Sequence, residues 1–535
     1  MAGLIARALL LALSTVALSQ VALAAAAEEG DDGADEVPGD LGRLAPSPAK
    51  LMHDYRVYAQ DSPSEPFTAP RAPMLARYSS AALRARIDRS TAGSVVIAPL
   101  LDESGFKSLT TAVGQGLREL ARRQLGGLRA IIVADGYVDL PLLAKSLPKD
   151  AIEQVAPGIY VARLPILVRH GATLQVGPGV RQLRLSQERG ALIANEGMLF
   201  ILDSEVTGWS EQRKAPARFH DEHEFRPFIV GWGGSETYID RSRIAHLGYA
   251  STKAFGLSLT QYSTMAIERA VWPRPTGWVL NSDIEDLWYG FYSWEADDVV
   301  LRGNTFRNNV KYGIDPHDRS RGLIIADNEV FGTRRKHGII ISRDVDDSWI
   351  IGNRSHNNNL SGIVLDRQCS NNVLARNLTY RNGSDGIVIS ESPHNLLWSN
   401  LSVGNQHHGI RLRNSTGIRI QDSSAIANGL AGIFAVASDL STTGRNLTLD
   451  PYRQSLSMTV VGGQLSANGS GPINLEAPTR VEMQNLDLRT PQRALGYKLG
   501  GALYAFQIEV LDILLNGRRT AVLEQQPAND PLARR

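Results

Sequence analysis

A glycine followed by an apolar residue returns along the middle of the chain at Gly290-Phe291, Gly313-Ile314, Gly338-Ile339, Gly362-Ile363, Gly386-Ile387, Gly409-Ile410 and Gly432-Ile433, a spacing of about 24 residues. Two asparagine columns keep the same register: Asn304, Asn328, Asn353, Asn377 and Asn400, then Asn309, Asn358, Asn382, Asn405 and Asn428. A period of this length fits a helical, a leucine-rich or a β-solenoid repeat. The runs inside each unit decide between them. Gly338-Ile339-Ile340-Ile341-Ser342 and Gly386-Ile387-Val388-Ile389-Ser390 are short strands with apolar residues at every second place, the pattern of one buried face. Asparagine and glycine tolerate the left-handed backbone that tight turns require. A unit of short strands and turns, with no helical stretch, is one coil of a parallel β-helix, so the fold class is all-β. Coils stack at the inter-strand distance of roughly 4.8 Å, and each recurring asparagine bonds its copy one coil away, forming a ladder.

The repeat reaches back irregularly through Ile166-Leu167-Val168, Ala172-Thr173-Leu174-Gln175-Val176, Leu183-Arg184-Leu185 and Leu199-Phe200-Ile201-Leu202. It reaches forward to Met458-Thr459-Val460-Val461 and Val481-Glu482-Met483. The expected organisation is a signal peptide over 1–27, an acidic, proline-rich leader over 28–90, an N-terminal cap region over 91–160, the β-helix over 161–450, and closing coils with a C-terminal cap over 451–535. Within the cap, residues 95–100 and 130–133 read as strands and 109–125 as a helix. The amphipathic stretch 504–515 is suited to cover the last coil, because an open solenoid end exposes an unpaired edge.

The first residues read as an export signal: Arg7, an apolar stretch over 8–23, and a small-residue cleavage site at Ala22-Leu23-Ala24, followed by Glu28, Glu29, Asp31 and Asp32. The competing reading, a membrane anchor, is disfavoured by the short, alanine-rich stretch and the acids directly after it. No later stretch approaches the roughly 20 apolar residues of a spanning helix. Cys369 is the only cysteine, so no internal disulfide forms. With Lys+Arg 56 against Asp+Glu 55, the chain lacks the basic excess of a general nucleic-acid binder.

Strand alternation locates the chemistry. With Ile339 and Ile341 inward, Ile340 and Ser342 face out. The same register in the preceding coil, Gly313-Ile314-Asp315-Pro316-His317-Asp318, turns Asp315 and His317 outward. Tyr292 and Trp294 take the matching places one coil earlier; Val364 and Asp366, Val388 and Ser390, then Arg411 and Arg413 follow. This outer column carries aromatics, acids, a histidine and arginines, as a groove for an extended, charged sugar chain requires. Asp315-Pro316-His317-Asp318 breaks the apolar alternation and places a proline within a coil strand, where a ladder hydrogen bond is lost. Such breaks mark functional sites; the bland alternative is a polar turn. Arg343, one place past Ser342, lies diagonal to His317 and has the geometry to hold a carboxylate, provided the strand has ended there. Lys311, Arg319, Arg367, Arg411 and Arg413 are candidate contacts for substrate acids. His337, His356, His394, His407 and His408 read as surface or turn histidines. No pair of histidines has zinc spacing and the Asp-rich calcium nonapeptide is absent, so neither a metal nor another cofactor is expected.

Asp315-Pro316-His317-Asp318, preceded by Tyr312-Gly313-Ile314 and followed by His337-Gly338-Ile339-Ile340-Ile341-Ser342-Arg343, resembles the periplasmic mannuronan C5-epimerases of bacterial alginate biosynthesis. The likeness extends to Leu185-Ser186-Gln187-Glu188-Arg189-Gly190 and to Ala245-His246-Leu247-Gly248-Tyr249. It implies a right-handed parallel β-helix, a periplasmic location, calcium-independent action on polymeric mannuronate and association with the alginate secretion machinery. It also implies that His317 is the base and that Arg343 neutralises the substrate carboxylate. The residues support this chemistry independently. Removing the C5 proton of a uronate builds charge on the adjacent carboxylate, which a fixed cation stabilises. A neutral imidazole takes a proton near pH 7, and Asp315 or Asp318 orients the ring. Water or Tyr312 returns a proton from the opposite face.

Three other readings compete. A polysaccharide lyase shares the first step and then expels the C4 oxygen. A glycoside hydrolase needs two carboxylates flanking the bond; Asp315 and Asp318, at odd separation on one strand, alternate to different faces. A non-enzymatic β-helix would only bind and guard the polymer during export.

Overall fold

The computed structural model describes residues 48–99, 122–124, 127–251, 253–262, 267–448, 450–489 and 499–526. The expected signal peptide, the acidic leader before residue 48 and most of the helix expected over 109–125 lie outside the described residues. The described chain forms a right-handed parallel β-helix. Each coil contributes one short strand to each of three faces, as in Tyr289–Trp294, Val300–Arg302 and Thr305–Arg307, and the next coil begins with Tyr312–His317. The face carrying Tyr289–Trp294 and Tyr312–His317 is called the site face here, and the face carrying Val300–Arg302 the strap face.

Inward residues repeat down the axis. Phe291, Ile314, Ile339, Ile363, Ile387, Ile410 and Ile433 are all fully buried and belong to one continuous core. The asparagine ladders form as the repeat implies. Asn304 donates to Asn328, Asn328 to Asn353, Asn353 to Asn377 and Asn377 to Asn400, each through Nδ2 to Oδ1 at 3.0 Å. In the second column Asn358 bonds Asn382, Asn382 bonds Asn405 and Asn405 bonds Asn428 at 2.9–3.0 Å. Asn309 and Asn358 are separated by one coil in which Thr333 stands, and its amide donates to Asn358 Oδ1 at 3.2 Å. Each ladder satisfies the polar groups of a buried corner, which otherwise would carry a penalty of about 1–3 kcal/mol apiece.

Residues 48–90 differ from the expected leader. The strand Tyr55–Gln60 pairs antiparallel with Thr520–Gln525 at the C-terminal end of the solenoid. The chain then travels back along the strap face. Phe67 meets Trp398 at 5.9 Å between ring centroids, Tyr78 stands edge-on to Trp278 at 5.0 Å, and Arg302 Nη1 donates to the carbonyls of Leu75 and Tyr78 at 2.8 and 3.0 Å. Ser94–Pro99 then pairs antiparallel with Arg129–Asp139 at the other end. A strap that crosses the coils has no copy of itself in the sequence, so it shows no period. Its apolar side chains cover an outward apolar column of the strap face that includes Leu280, Val300, Ile324 and Ile351.

The expected N-terminal cap region already contains solenoid. Arg129–Asp139 pairs parallel with both Ile166–Val168 and Ala172–Val176. At the far end Thr520–Gln525 lies antiparallel on Arg480–Gln484. Short helical turns over 504–516 bury Phe506, Val510 and Leu514 against the last coils. Both devices occupy an edge that would otherwise template association.

Candidate active site

The site face keeps the register that alternation gives. Tyr292 pairs with Asp315 and Trp294 with His317. His317 pairs with Ser342, Ser342 with Asp366, Asp366 with Ser390, and Ser390 with Arg413. Outward side chains of this column line a cleft of about 490 Å³. Its floor includes Ile340, Val364 and Val388, which point away from the core yet are only 6–8% exposed. One end is walled by aromatics: Trp288, Tyr289, Tyr292, Tyr312 and Phe255, with Phe255 stacked on Tyr289 at 4.5 Å.

His317 ends its strand, Tyr312–His317. Its Nδ1 lies 2.7 Å from Asp318 Oδ2. Asp318 follows the strand with φ 36°. That turn matters, because strict alternation would put Asp318 on the opposite face from Asp315. Instead both acids line the cleft, so the expectation that they occupy different faces is wrong. A hydrolase pair remains disfavoured for another reason: the Asp318 carboxylate is committed to the imidazole. Arg343 likewise lies past the end of its strand, Ile339–Ser342, with φ 59°. Left-handed backbone swings its side chain out, and the guanidinium lines the same cleft as His317. The amide of Asp318 donates to Ser342 O at 3.0 Å, tying the two rungs together at this corner.

The electrostatics separate three groups. Burial, the strongest influence on His317, disfavours its charge. The negative charge of Asp318, the hydrogen bond to it and the nearby Asp315 outweigh burial and Arg343, and raise its pKa above the usual histidine value. For Asp318, burial works to raise the pKa, but His317, Arg343 and Arg319 hold it below the usual carboxylate range. Asp315 is pushed up to about 7, chiefly by burial with a smaller push from Asp318, against the pull of His317 and Lys311. Its Oδ1 is buried without a hydrogen-bond partner. A carboxyl in that state holds a proton near neutrality and has it available to donate.

Among the other candidates, Lys311, Tyr312, Arg367, Arg411 and Arg413 line the cleft. Lys311 Nζ sits 5.7 Å from the ring centroids of both Tyr289 and Tyr312. Arg319 does not line it: Nε donates to Glu295 at 2.8 Å and the guanidinium lies over Trp294. A left-handed residue after the strand, φ 56°, sends its side chain back toward the preceding coil. The histidines also need correction. His337 and His356 are buried rather than at the surface, and His356 ends a strand rather than a turn, while His408 is half-buried at a turn. His356 stacks on Phe331 and Tyr380 at 5.1 and 4.4 Å, and His408 on Phe434 at 4.5 Å. His337 is buried, lines the cleft and lies parallel to Tyr312 at 6.1 Å. Sequence reasoning missed Asp450, whose Oδ2 lies 3.0 Å from Arg343 Nη2; nothing in the repeat pattern announces it.

A solenoid whose open face carries a histidine–aspartate pair, a buried carboxyl with a raised pKa and arginines on successive rungs is built as a polysaccharide-modifying enzyme for an acidic chain. Comparison with known proteins sharpens this. Residues 276–448 match the family model described as right handed beta helix region. The mannuronan C5-epimerase AlgG of Azotobacter vinelandii is 46% identical over 91% of this chain and 92% of its own. The mannuronan C5-epimerase of Pseudomonas aeruginosa is 49% identical over 86% of each. The crystal structure of the periplasmic alginate epimerase AlgG is 44% identical, superposes with a TM-score of 0.78 and covers 80% of this chain and 100% of that one. The chain belongs to the mannuronan C5-epimerase family, and so to the carbohydrate epimerases among the isomerases.

Proposed function

We propose that the chain converts β-D-mannuronate to α-L-guluronate within polymeric alginate by inverting C5. The observation that carries the residue assignment is the opening of His317 and Arg343, from neighbouring rungs, into one cleft. His317 is the base. Asp318 occupies Nδ1, so Nε2 is the nitrogen left to take the C5 proton, and the Asp318 charge stabilises the imidazolium that forms. Charge then grows on the uronate carboxylate, where Arg343 neutralises it. Asp315, pushed up to about 7 and so partly protonated near neutral pH, adds a hydrogen bond to the same group in its protonated form. A proton returns to C5 from the other face, from water or the Tyr312 hydroxyl. Lys311, Arg367 and Arg411 bind acid groups of neighbouring sugar units, and the apolar floor packs against sugar rings.

The chain acts in the periplasm during alginate synthesis and export, after removal of the segment 1–27, beside proteins of the alginate secretion and modification complex. Its 44% identical structural relative is the periplasmic alginate epimerase AlgG, which supports that location. Among the described residues no helix is long and apolar enough to cross a membrane.

Proton NMR of polymannuronate incubated with the processed chain in heavy water tests the reaction. The expected result is guluronate carrying deuterium at C5, with chain length unchanged. Accumulation of ultraviolet-absorbing unsaturated ends would instead make the chain a lyase.

A further inference from the structure

From Tyr289 onward the coils of the solenoid are nearly uniform in length until one departs. Successive asparagines of the second ladder are 23 residues apart from Asn382 to Asn405 and from Asn405 to Asn428; the next step, from Asn428 to Asn468, takes 40. The added length is an excursion between the strands Ala431–Val436 and Ser457–Val461. It leaves at the corner that carries Arg343 and Arg367 four and three coils away, respectively, and it runs back over them. Asp450, 107 residues along the chain from Arg343, puts Oδ2 3.0 Å from Arg343 Nη2 and 3.5 Å from Arg367 Nη1.

Two roles are open to a carboxylate at this place. It could compete with the substrate carboxylate for the guanidinium, as a lid that must leave. Or it could hold the guanidinium ready. The tethers decide. Arg445 Nη2 donates to the backbone carbonyl of Asp450 at 2.9 Å and also reaches Glu391, which binds Arg413. Gln368 Nε2 donates to Pro451 O at 3.0 Å. Asn414 and Ser438 exchange two hydrogen bonds, 2.7 and 2.9 Å, where the excursion leaves the solenoid. Asp450 is thus fixed by its own backbone, independently of Arg343 and Arg367, and its side chain is only 12% exposed. Arg343, by contrast, lies beyond its strand on left-handed backbone, and its Nε is buried without a partner. A second guanidinium, Arg367, faces it one rung away. Arg367 has Asp366 3.2 Å from its Nε, so Asp450 is the carboxylate that spans the two guanidinia.

We propose that Asp450 is a positioning residue for the C5 inversion: fixed by the excursion, it holds Arg343, with Arg367, where the uronate carboxylate arrives. Only one terminal nitrogen of Arg343 is engaged with it, and a guanidinium has five N–H donors to share. The inference rests on the epimerase reading above.

Steady-state epimerisation of polymannuronate by the processed chain, with Asp450→Ala, Asp450→Asn and Asp450→Glu variants, tests it. Loss of the anchor lowers kcat about 10- to 100-fold in the Ala and Asn variants, with KM changed less than about threefold, because the charge Arg343 meets grows mainly in the transition state. Asp450→Glu recovers most of the rate. Combined with Arg343→Ala, Asp450→Ala adds less than about threefold, since both act through one group. Thermal melting of each variant checks that the solenoid is intact. An Asp450→Ala variant with unchanged kcat and a lower KM identifies a competing lid and overturns the proposal. So do losses that simply multiply in the double variant. If wild type places deuterium at C5 while Asp450→Ala is unaffected, the positioning role alone fails. If wild type places none, the epimerase reading fails and takes this inference with it.

Discussion

The same coils carry two kinds of outward or corner column, and they differ in what completes each side chain. In the ladder from Asn304 to Asn400 every rung repeats the residue before it, every member is buried, and each amide bonds its own copy at 3.0 Å. In the site-face column no two neighbouring rungs from Tyr292 to Arg413 carry the same pair: Tyr292 with Trp294, Asp315 with His317, Ile340 with Ser342, Val364 with Asp366, Val388 with Ser390, and Arg411 with Arg413. A side chain satisfied by its copy is held to one identity by packing. A side chain that meets a ligand is released from its neighbours and set by chemistry. Repetition therefore reports stability and its failure reports function.

The sharpest attempt to break that contrast is His317→Ala. It should reduce epimerisation by about a thousandfold while lowering stability by only about 1 kcal/mol through the lost Asp318 partner, read by C5 deuterium incorporation and by thermal melting. Retained wild-type turnover would remove His317 from the base role. Next is Arg343→Ala, expected to lower kcat about 100-fold or more through lost charge stabilisation. A purely KM effect would recast Arg343 as a binding group only.

Asn353→Ala is the converse. Asn328 loses the partner of both its amide and its Nδ2, and Ile325 O loses its donor. Stability should fall by about 2–4 kcal/mol, from unsatisfied groups at about 1–3 kcal/mol each, while kcat/KM of the folded enzyme holds. A variant that melts normally but is inactive would dissolve the distinction between the columns.

Asp318→Asn is expected to cost about tenfold in rate and to move the pH profile. His317 works as a base only when neutral, so activity falls as pH drops through its raised pKa. Removing Asp318 takes away the leading upward influence and leaves burial and Arg343, which pull the pKa down, opposed only by Asp315, so the acid limb moves to lower pH. A limb that stays in place would show that another group sets it. The smallest effect is reserved for Arg319→Ala. Engaged with Glu295 outside the cleft, it should alter kcat/KM by less than about threefold; a large loss would restore it to the substrate path.

The sequence alone determined the coil, both asparagine ladders and the outward places of Asp315 and His317, because each depends on period-two alternation and on contact with the same position one rung away. Both are written in the spacing of residues. Tertiary structure decided the rest. It turned Asp318, Arg319 and Arg343 by left-handed backbone at the strand ends, where alternation stops counting. It laid residues 61–93 lengthwise across the coils. It also brought Asp450 back over Arg343 from 107 residues away. A segment that crosses a repeat instead of joining it leaves no period, and its contacts follow from the path of the folded chain rather than from any spacing in the sequence.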